Sequence, residues 1–256
     1  MTMGHYTVGY GPQKILFLHG WLSDYTVYQP LIPFVDKEKY TAVFADYRGY
    51  GLSRTQTGDY TIDEIAGDVI DLSQHLGWDR CIIVGHSMGG MVLQKVACLK
   101  PELMQSGIAI TPVPASGLPL DDDTMAFFKQ SVGDEAGLAG LFNALTGDRH
   151  AQTFLDVMAK ETFKATTTEI LLEYIKAWTG TDFSNDVKNL KTKFFVIAGA
   201  FDGAVGPDVL KETYLKQLEN VELEIISGAG HYPTQETPVE LYTILEKHFS
   251  SGHVHT

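Results

Sequence analysis

The chain has 256 residues, an apolar share of 44% and a formal net charge of −13 at neutral pH. That length suits one large domain, or a domain carrying an insertion, and the apolar content is enough to bury a core, which excludes a disordered chain. The acidity, with no Lys/Arg cluster, excludes a nucleic-acid partner and attraction to an anionic membrane, and leaves solubility as its plain meaning. Met1 to Pro12 is polar and Gly/Tyr-rich, without a basic-plus-apolar leader, and no apolar run reaches transmembrane length. A soluble cytoplasmic protein is the resulting expectation. Cys81 and Cys98 fall in a predicted strand and a predicted helix and read as buried thiols.

In chain order, His5 to Tyr10 is expected as an edge strand ending in the turn cluster Gly9-Tyr10-Gly11-Pro12. Lys14 to Leu18 reads as a buried strand running into His19-Gly20-Trp21, and Tyr25 to Phe34 as a short helix interrupted by Pro30 and Pro33. Thr41 to Ala45 is the next strand, followed by the glycine-laced loop Asp46 to Ser53. Ile62, Ile65, Val69, Leu72 and Leu76 recur at helical spacing, with acidic residues between them, and Gly77 ends that helix. Cys81 to Val84 is a β-branched strand that breaks at Gly85, and an apolar helix starts at Met88 and reaches Leu99. Gly107 to Thr111 is another strand. Such alternation predicts βαβ units, hence an α/β fold with a mostly parallel central sheet and helices on both faces.

The rhythm stops at Thr111-Pro112-Val113-Pro114. From there to about Asn189 no strand is evident. The segments Asp123–Ser131, Glu135–Leu145, Ala151–Phe163 and Thr167–Thr179 read as helices carrying many apolar and aromatic residues, too many for a simple connection. We read 112–189 as a helical cap inserted into a core domain made of 1–111 and 190–256; extra core helices at the sheet edge are the alternative. The sheet resumes with Phe194 to Ala198, a helix from Pro207 to Leu218, the strand Val221 to Ile226 and a last helix from about Thr237 to Phe249.

Gly85-His86-Ser87-Met88-Gly89, set between a strand and a helix, is the pattern of a nucleophile elbow. A turn that tight needs small residues two before and two after the serine. The following helix aims its N-terminal N–H groups at the same point, where an oxyanion would develop. The plainer alternative is a glycine-rich turn whose Ser87 only caps the helix. A serine hydroxyl needs a base, and the base an orienting acid. His231, in Gly228-Ala229-Gly230-His231-Tyr232-Pro233, and Asp202, in Gly199-Ala200-Phe201-Asp202-Gly203, both follow strands, and ligands of open α/β sheets collect beyond the strands' carboxyl ends.

With these segments the sequence resembles the α/β-hydrolase superfamily from about residue 5 to 249. His19-Gly20-Trp21 is similar to the family's oxyanion loop, and Asp46-x-Arg48-Gly49-x-Gly51-x-Ser53 to another recurrent stretch. The resemblance implies Ser87 as nucleophile, His231 as general base then acid, Asp202 as orienter, and the backbone N–H groups of Trp21 and Met88 as the oxyanion hole. Some members take the acid from the loop after the preceding strand, but Thr111-Pro112-Val113-Pro114 has no carboxylate. Asp202 is therefore preferred over Asp208 and the Asp121–Asp123 run. His19 and His86 flank the chemistry; structural hydrogen bonding around the loops is their first reading, and with Trp21 they are candidates for the pocket wall. Asp46 and Arg48 are assigned to loop architecture. His253-x-His255 has metal-like spacing without partner ligands and reads as a tail, and there is no dinucleotide fingerprint.

The leading expectation is a carboxylesterase acting on small-to-medium apolar esters through an acyl-enzyme, with no metal and no organic cofactor. Relatives that use the same fold differently stay open: cofactor-free perhydrolases or haloperoxidases, lactonases, carbon–carbon bond hydrolases, cofactor-independent dioxygenases, and ligand receptors without turnover. Haloalkane dehalogenases and epoxide hydrolases are disfavoured, because they need a carboxylate where Ser87 stands.

Overall fold

The computed structural model describes residues 2–250, so His253 and His255 lie outside the described residues. Seven strands form one sheet: β1 (His5–Val8), β2 (Gln13–Leu18), β3 (Tyr40–Ala45), β4 (Cys81–His86), β5 (Met104–Ile110), β6 (Phe194–Gly199) and β7 (Val221–Ile226). Their order is β1-β3-β2-β4-β5-β6-β7; β1 runs antiparallel to β3, and every other pairing is parallel. From β2 the chain moves outward to β3, then returns to place β4 on the other side of β2. That reversal makes the β2/β4 junction the switch point of the sheet, where loops leave the strand ends in opposite directions and open a crevice.

Helices α1 (Ile62–His75), α2 (Met88–Leu99), α3 (Asp122–Ser131), α4 (Glu135–Leu145), α5 (Gln152–Ala165), α6 (Thr168–Gly180), α7 (Pro207–Glu212), α8 (Tyr214–Gln217), α9 (Pro233–Glu236) and α10 (Pro238–Ser250) complete the described regular structure, with short 3₁₀ turns between. Strands β4 and β6 are buried along their whole length, as expected of parallel strands covered on both faces. At the edge, β7 carries Glu222 and Glu224, which pair with Lys193 and Lys247 at 2.7 Å and keep that edge polar. In α1 the apolar stripe faces inward, the Thr61 hydroxyl accepts the Glu64 N–H at 3.1 Å, and Gly77 takes φ +68° just past the end.

Two segments differ from the sequence reading. Tyr25 to Phe34 is two 3₁₀ turns, Tyr25–Tyr28 and Ile32–Phe34, because Pro30 and Pro33 cannot supply the N–H groups of a continuous helix. The expected helix from Pro207 to Leu218 is split into α7 and α8 at Thr213, whose φ −109° and ψ −83° are not helical. Cys81 is buried, Cys98 only partly; both are free, and burial pushes their thiols up to about 12 and about 11, leaving neither as a thiolate at neutral pH.

Helices α3 to α6 occupy the connection between β5 and β6. Asp121 and Asp134 cap α3 and α4 through their carboxylates, at 2.7 Å to the Thr124 and Gly137 N–H groups. This insertion joins the strand-end loops by buried hydrogen bonds. The Thr162 hydroxyl donates to the Leu22 carbonyl at 2.8 Å, Thr166 to Gly49 at 2.9 Å, and the Trp21 indole to Leu171 at 2.8 Å. Leu145, closing α4, accepts the N–H groups of Gly203 and His231 at 3.3 and 3.2 Å. No helix among the described residues is long and apolar enough to cross a membrane.

Candidate active site

Ser87 sits between β4 and α2 with φ +53° and ψ −117°, a left-handed conformation that strains a side chain with a Cβ. Its neighbours explain how so tight a turn closes. A Cβ on Gly85 would lie 2.2 Å from the Gly89 carbonyl oxygen, and one on Gly89 would lie 2.4 Å from the Leu18 carbonyl oxygen. The turn is held by the Ser87 N–H donating to Ile110 at 2.9 Å and the Ser87 carbonyl accepting the N–H of Gly90 at 2.8 Å and of Val113 at 3.0 Å. Ser87 is thus locked at the strand ends with little freedom to relax.

Around Ser87 the structure brings together the three side chains expected from the sequence. Ser87 Oγ lies 2.9 Å from His231 Nε2, and His231 Nδ1 lies 2.8 Å from Asp202 Oδ2. A carboxylate only accepts, so Nδ1 carries the proton and Nε2 is free to accept the Ser87 hydroxyl. The second Asp202 oxygen accepts the N–H groups of Ala204 and Val205 at 2.8 and 3.0 Å, which fixes the carboxylate. Asp208 and the Asp121–Asp123 run take no part: Asp208 pairs with Lys211, and Asp121 caps α3. Ser87 and His231 are 8% and 5% exposed, so the hydrogen-bonded chain works largely out of water.

The His231 loop is held from two sides. His86 Nε2–H donates to the His231 carbonyl at 2.8 Å, and the Thr111 hydroxyl donates to the same oxygen at 2.9 Å. On the other side the buried Glu236 carboxylate accepts the N–H groups of Gly230 and Tyr232, each at 2.9 Å, while Arg149 and His150 of the insertion reach it at 2.5 and 2.8 Å. Burial pushes His86 down to about 3, so it stays neutral. The sequence reading missed Thr111 and Glu236. Glu236 carried a readable signal, being an acid near the start of a helix just past the glycine-rich His231 loop.

The loop after β2 is equally constrained. Tyrosine hydroxyls donate to successive strand-end carbonyls: Tyr28 to Leu18 at 2.9 Å, Tyr47 to His19 at 2.8 Å, and Tyr50 to Trp21 at 2.7 Å. His19 Nδ1–H takes the Gly20 carbonyl at 2.8 Å, while its Nε2 accepts the Tyr47 N–H at 3.2 Å. Desolvation lowers His19 to about 4, so this neutral tautomer persists at neutral pH. Because the Gly20 carbonyl is tied to His19, the Trp21 N–H of the same peptide points the opposite way. A Cβ on Gly20 would come within 3.0 Å of Ser87 Cβ, so the loop passes directly against the serine. Neither the Trp21 nor the Met88 N–H donates to a backbone carbonyl among the described residues.

A cavity opens on Ser87 and His231. Its walls are Trp21, Leu22 and Tyr232 from the sheet side, and Val113, Leu118, Phe128, Leu145 and Trp178 from the insertion, with Ala204 and Val205. Trp21 stacks on Phe128 with ring centres 5.9 Å apart and meets Trp178 at 5.4 Å. Trp21 therefore lines the cavity, whereas His19 and His86 are fully buried behind it in the loop hydrogen bonds just described. Arg48 forms a two-pronged pair with Asp68 at 2.7 and 2.8 Å, away from the serine. Asp46 accepts the Tyr25 and Leu52 N–H groups at 2.7 and 2.8 Å, and burial pushes it up to about 7. Among the described residues no group of three or more His, Cys, Asp or Glu side chains is placed to hold a metal ion.

Comparison with known proteins agrees with this architecture. The chain is 26% identical over 249 residues to an uncharacterized hydrolase of Bacillus subtilis, covering 89% of this chain and 86% of that protein. Two solved structures superpose with a TM-score of 0.86, each covering 96% of this chain and 94% of its own: a bromoperoxidase from Bacillus anthracis at 22% identity and an esterase from Exiguobacterium antarcticum at 17%. At those identities the superpositions speak for the fold. A family model described as the alpha/beta hydrolase family matches residues 15–243, a span that holds the serine elbow, the Asp202 loop and the His231 loop. The chain belongs to the alpha/beta hydrolase family.

Proposed function

We propose that this protein is a serine carboxylesterase that cleaves small-to-medium uncharged esters through an acyl-enzyme. The observation that carries the reading is the hydrogen-bonded chain Ser87–His231–Asp202 at 2.9 and 2.8 Å, opening on an apolar cavity. In this reading His231 Nε2 removes the Ser87 proton as Oγ bonds to the ester carbonyl carbon. The resulting oxyanion accepts the Trp21 and Met88 N–H groups, neither of which donates to a backbone carbonyl among the described residues. Each such donor is typically worth about 10²–10³ in turnover. His231 then gives its proton to the leaving alkoxide, and water activated by the same imidazole releases the acid. Asp202 holds the Nδ1–H tautomer throughout. The insertion 112–189 acts as a cap whose Phe128, Leu145 and Trp178 shape the acyl and alcohol sites.

The test is hydrolysis of phenyl esters of increasing acyl length by the wild type and Ser87→Ala, with mass spectrometry after a fluorophosphonate. Multiple turnover, reduced about 10⁴-fold or more in Ser87→Ala, together with a phosphonyl adduct on Ser87, is the expected result. An adduct on Ser87 without ester turnover would move the assignment to another hydrolysed bond or to ligand binding. Absence of both would overturn it.

A further inference from the structure

The turn between α4 and α5, residues 146–151, belongs to the insertion in sequence yet packs against both loops that carry Asp202 and His231. A Cβ on Gly230 would lie 2.7 Å from Thr146 Cα, and one on Gly147 would lie 2.8 Å from the Phe201 carbonyl oxygen. The turn is itself held: the Thr146 hydroxyl donates to the Phe142 carbonyl at 2.8 Å, and the Asp148 N–H to the Asn143 carbonyl at 2.9 Å. Near the strands the two loops are joined directly, the Ala200 N–H donating to Ile226 at 3.0 Å and the Phe201 N–H to Ala229 at 2.9 Å. Further out the insertion bridges them. Leu145 accepts an N–H from each loop, and Arg149 supplies a second link.

The Arg149 side chain is largely buried and engages four groups at once. Nε donates to the Thr146 carbonyl at 3.0 Å, Nη1 to the Gly228 carbonyl at 3.2 Å and Nη2 to the Glu236 carboxylate at 2.5 Å. Its guanidinium carbon lies 4.2 Å from the centre of the Phe201 ring. Phe201 immediately precedes Asp202, whereas Gly228 and Glu236 stand on either side of His231 in sequence. Glu236 in turn accepts the N–H groups of Gly230 and Tyr232, the two neighbours of His231. One rigid fork thus spans the loop of the acid and the loop of the base. A lysine, with a single ammonium, keeps the charge but cannot span the same acceptors.

Resting on the Ser87–His231–Asp202 reading, we infer that Arg149 is a positioning residue that sets the spacing of the Asp202 and His231 loops. Through that spacing it keeps the Asp202–His231 bond at 2.8 Å, and so holds the Nδ1–H tautomer with Nε2 on the Ser87 hydroxyl. Arg149 works with the strand-end loops, while the rest of the insertion shapes the cavity. Its loss is accordingly felt in turnover and not in substrate binding, because a small misplacement of reacting groups slows the chemical step.

The experiment follows wild type, Arg149→Lys and Phe201→Leu by phenyl ester hydrolysis, urea unfolding and proton NMR of the His231 Nδ1–H, assigned by its loss in His231→Gln. In Arg149→Lys a cation stays beside Glu236, so the urea midpoint remains near the wild type. Its kcat falls about tenfold to a hundredfold with KM within about threefold, and the Nδ1–H signal moves upfield and exchanges faster with water. Phe201→Leu keeps every hydrogen bond of Arg149 and loses only the ring contact; kcat falls about threefold, with a smaller movement of the same signal. Wild-type kcat, or an unmoved Nδ1–H signal, in folded Arg149→Lys overturns the inference. Should Arg149→Lys not fold, Phe201→Leu decides, and an unmoved signal there overturns it. The signal needs no substrate, so absence of ester turnover in the wild type fails the esterase reading alone and leaves the signal to decide the role of Arg149.

Discussion

The loops at the strand ends and the helical insertion meet at one cavity but are built by opposite means. Around Ser87 the backbone itself is the scaffold. Four consecutive carbonyls from Leu18 to Trp21 are each tied by a side chain, and the His231 carbonyl takes two donors. The insertion contributes walls: Phe128 and Trp178 touch Trp21 ring to ring. Directional bonds to backbone hold an arrangement to the fraction of an ångström that proton transfer demands, whereas side-chain packing sets a volume that a few substitutions can reshape. In the proposed reading, the first region carries the chemistry and the second the selectivity.

The sharpest way to break that division is Asp202→Asn. It leaves the shape intact but lets the amide stabilise the wrong His231 tautomer, so kcat falls about 10³–10⁴-fold with KM little changed; stopped-flow ester hydrolysis measures it. Glu236→Gln comes next. It removes the charge shared by Arg149 and His150 and, with the amide oxygen kept on the Gly230 and Tyr232 N–H groups, turns the amide hydrogens against Arg149 and His150. Stability falls by about 2 kcal/mol in urea unfolding, and kcat by about tenfold, as the His231 loop loosens. An unchanged kcat would show that the loop is held without its link to the insertion.

Acid titration probes the same scaffold more gently. His19 and His86 are lowered to about 4 and about 3, so between their ordinary 6.5 and those values the unfolded chain binds two protons that the fold refuses. Asp46, raised from 3.8 to about 7, opposes them with one proton bound by the fold. Its stabilisation is fully present below 3.8 and is lost as pH rises through about 7. Two protons outweigh one, so these groups together make urea midpoints fall as pH drops from about 6.5 toward about 4.5, and His86→Gln reduces that slope. The smallest effect belongs to the insertion. Phe128→Leu removes the stack on Trp21 and shifts the preferred acyl length with a change of about threefold in kcat/KM, leaving turnover of the smallest esters near the wild type.

Much of this was legible in the chain itself. The β-branched run ending at Gly85, the Gly-x-Ser-x-Gly spacing and the strand-end placement of Asp202 and His231 are local patterns, and local sterics enforce them: a Cβ on Gly85 or Gly89 would strike backbone oxygen. The amphipathic stripe of α1 was readable from its periodicity, and the four helices of the insertion were readable as helical segments. Tertiary structure alone decided the rest. Tyr28, Tyr47 and Tyr50 look like ordinary aromatic residues in sequence, and only the fold turns their hydroxyls onto the loop after β2. Thr111 reaches the His231 carbonyl across 120 residues by a hydrogen bond that no spacing rule encodes. The break at Thr213 depends on what packs against it. Local backbone geometry is written in neighbouring residues, while the pairing of buried polar groups is settled by which distant groups the sheet order brings within about 3 Å of one another.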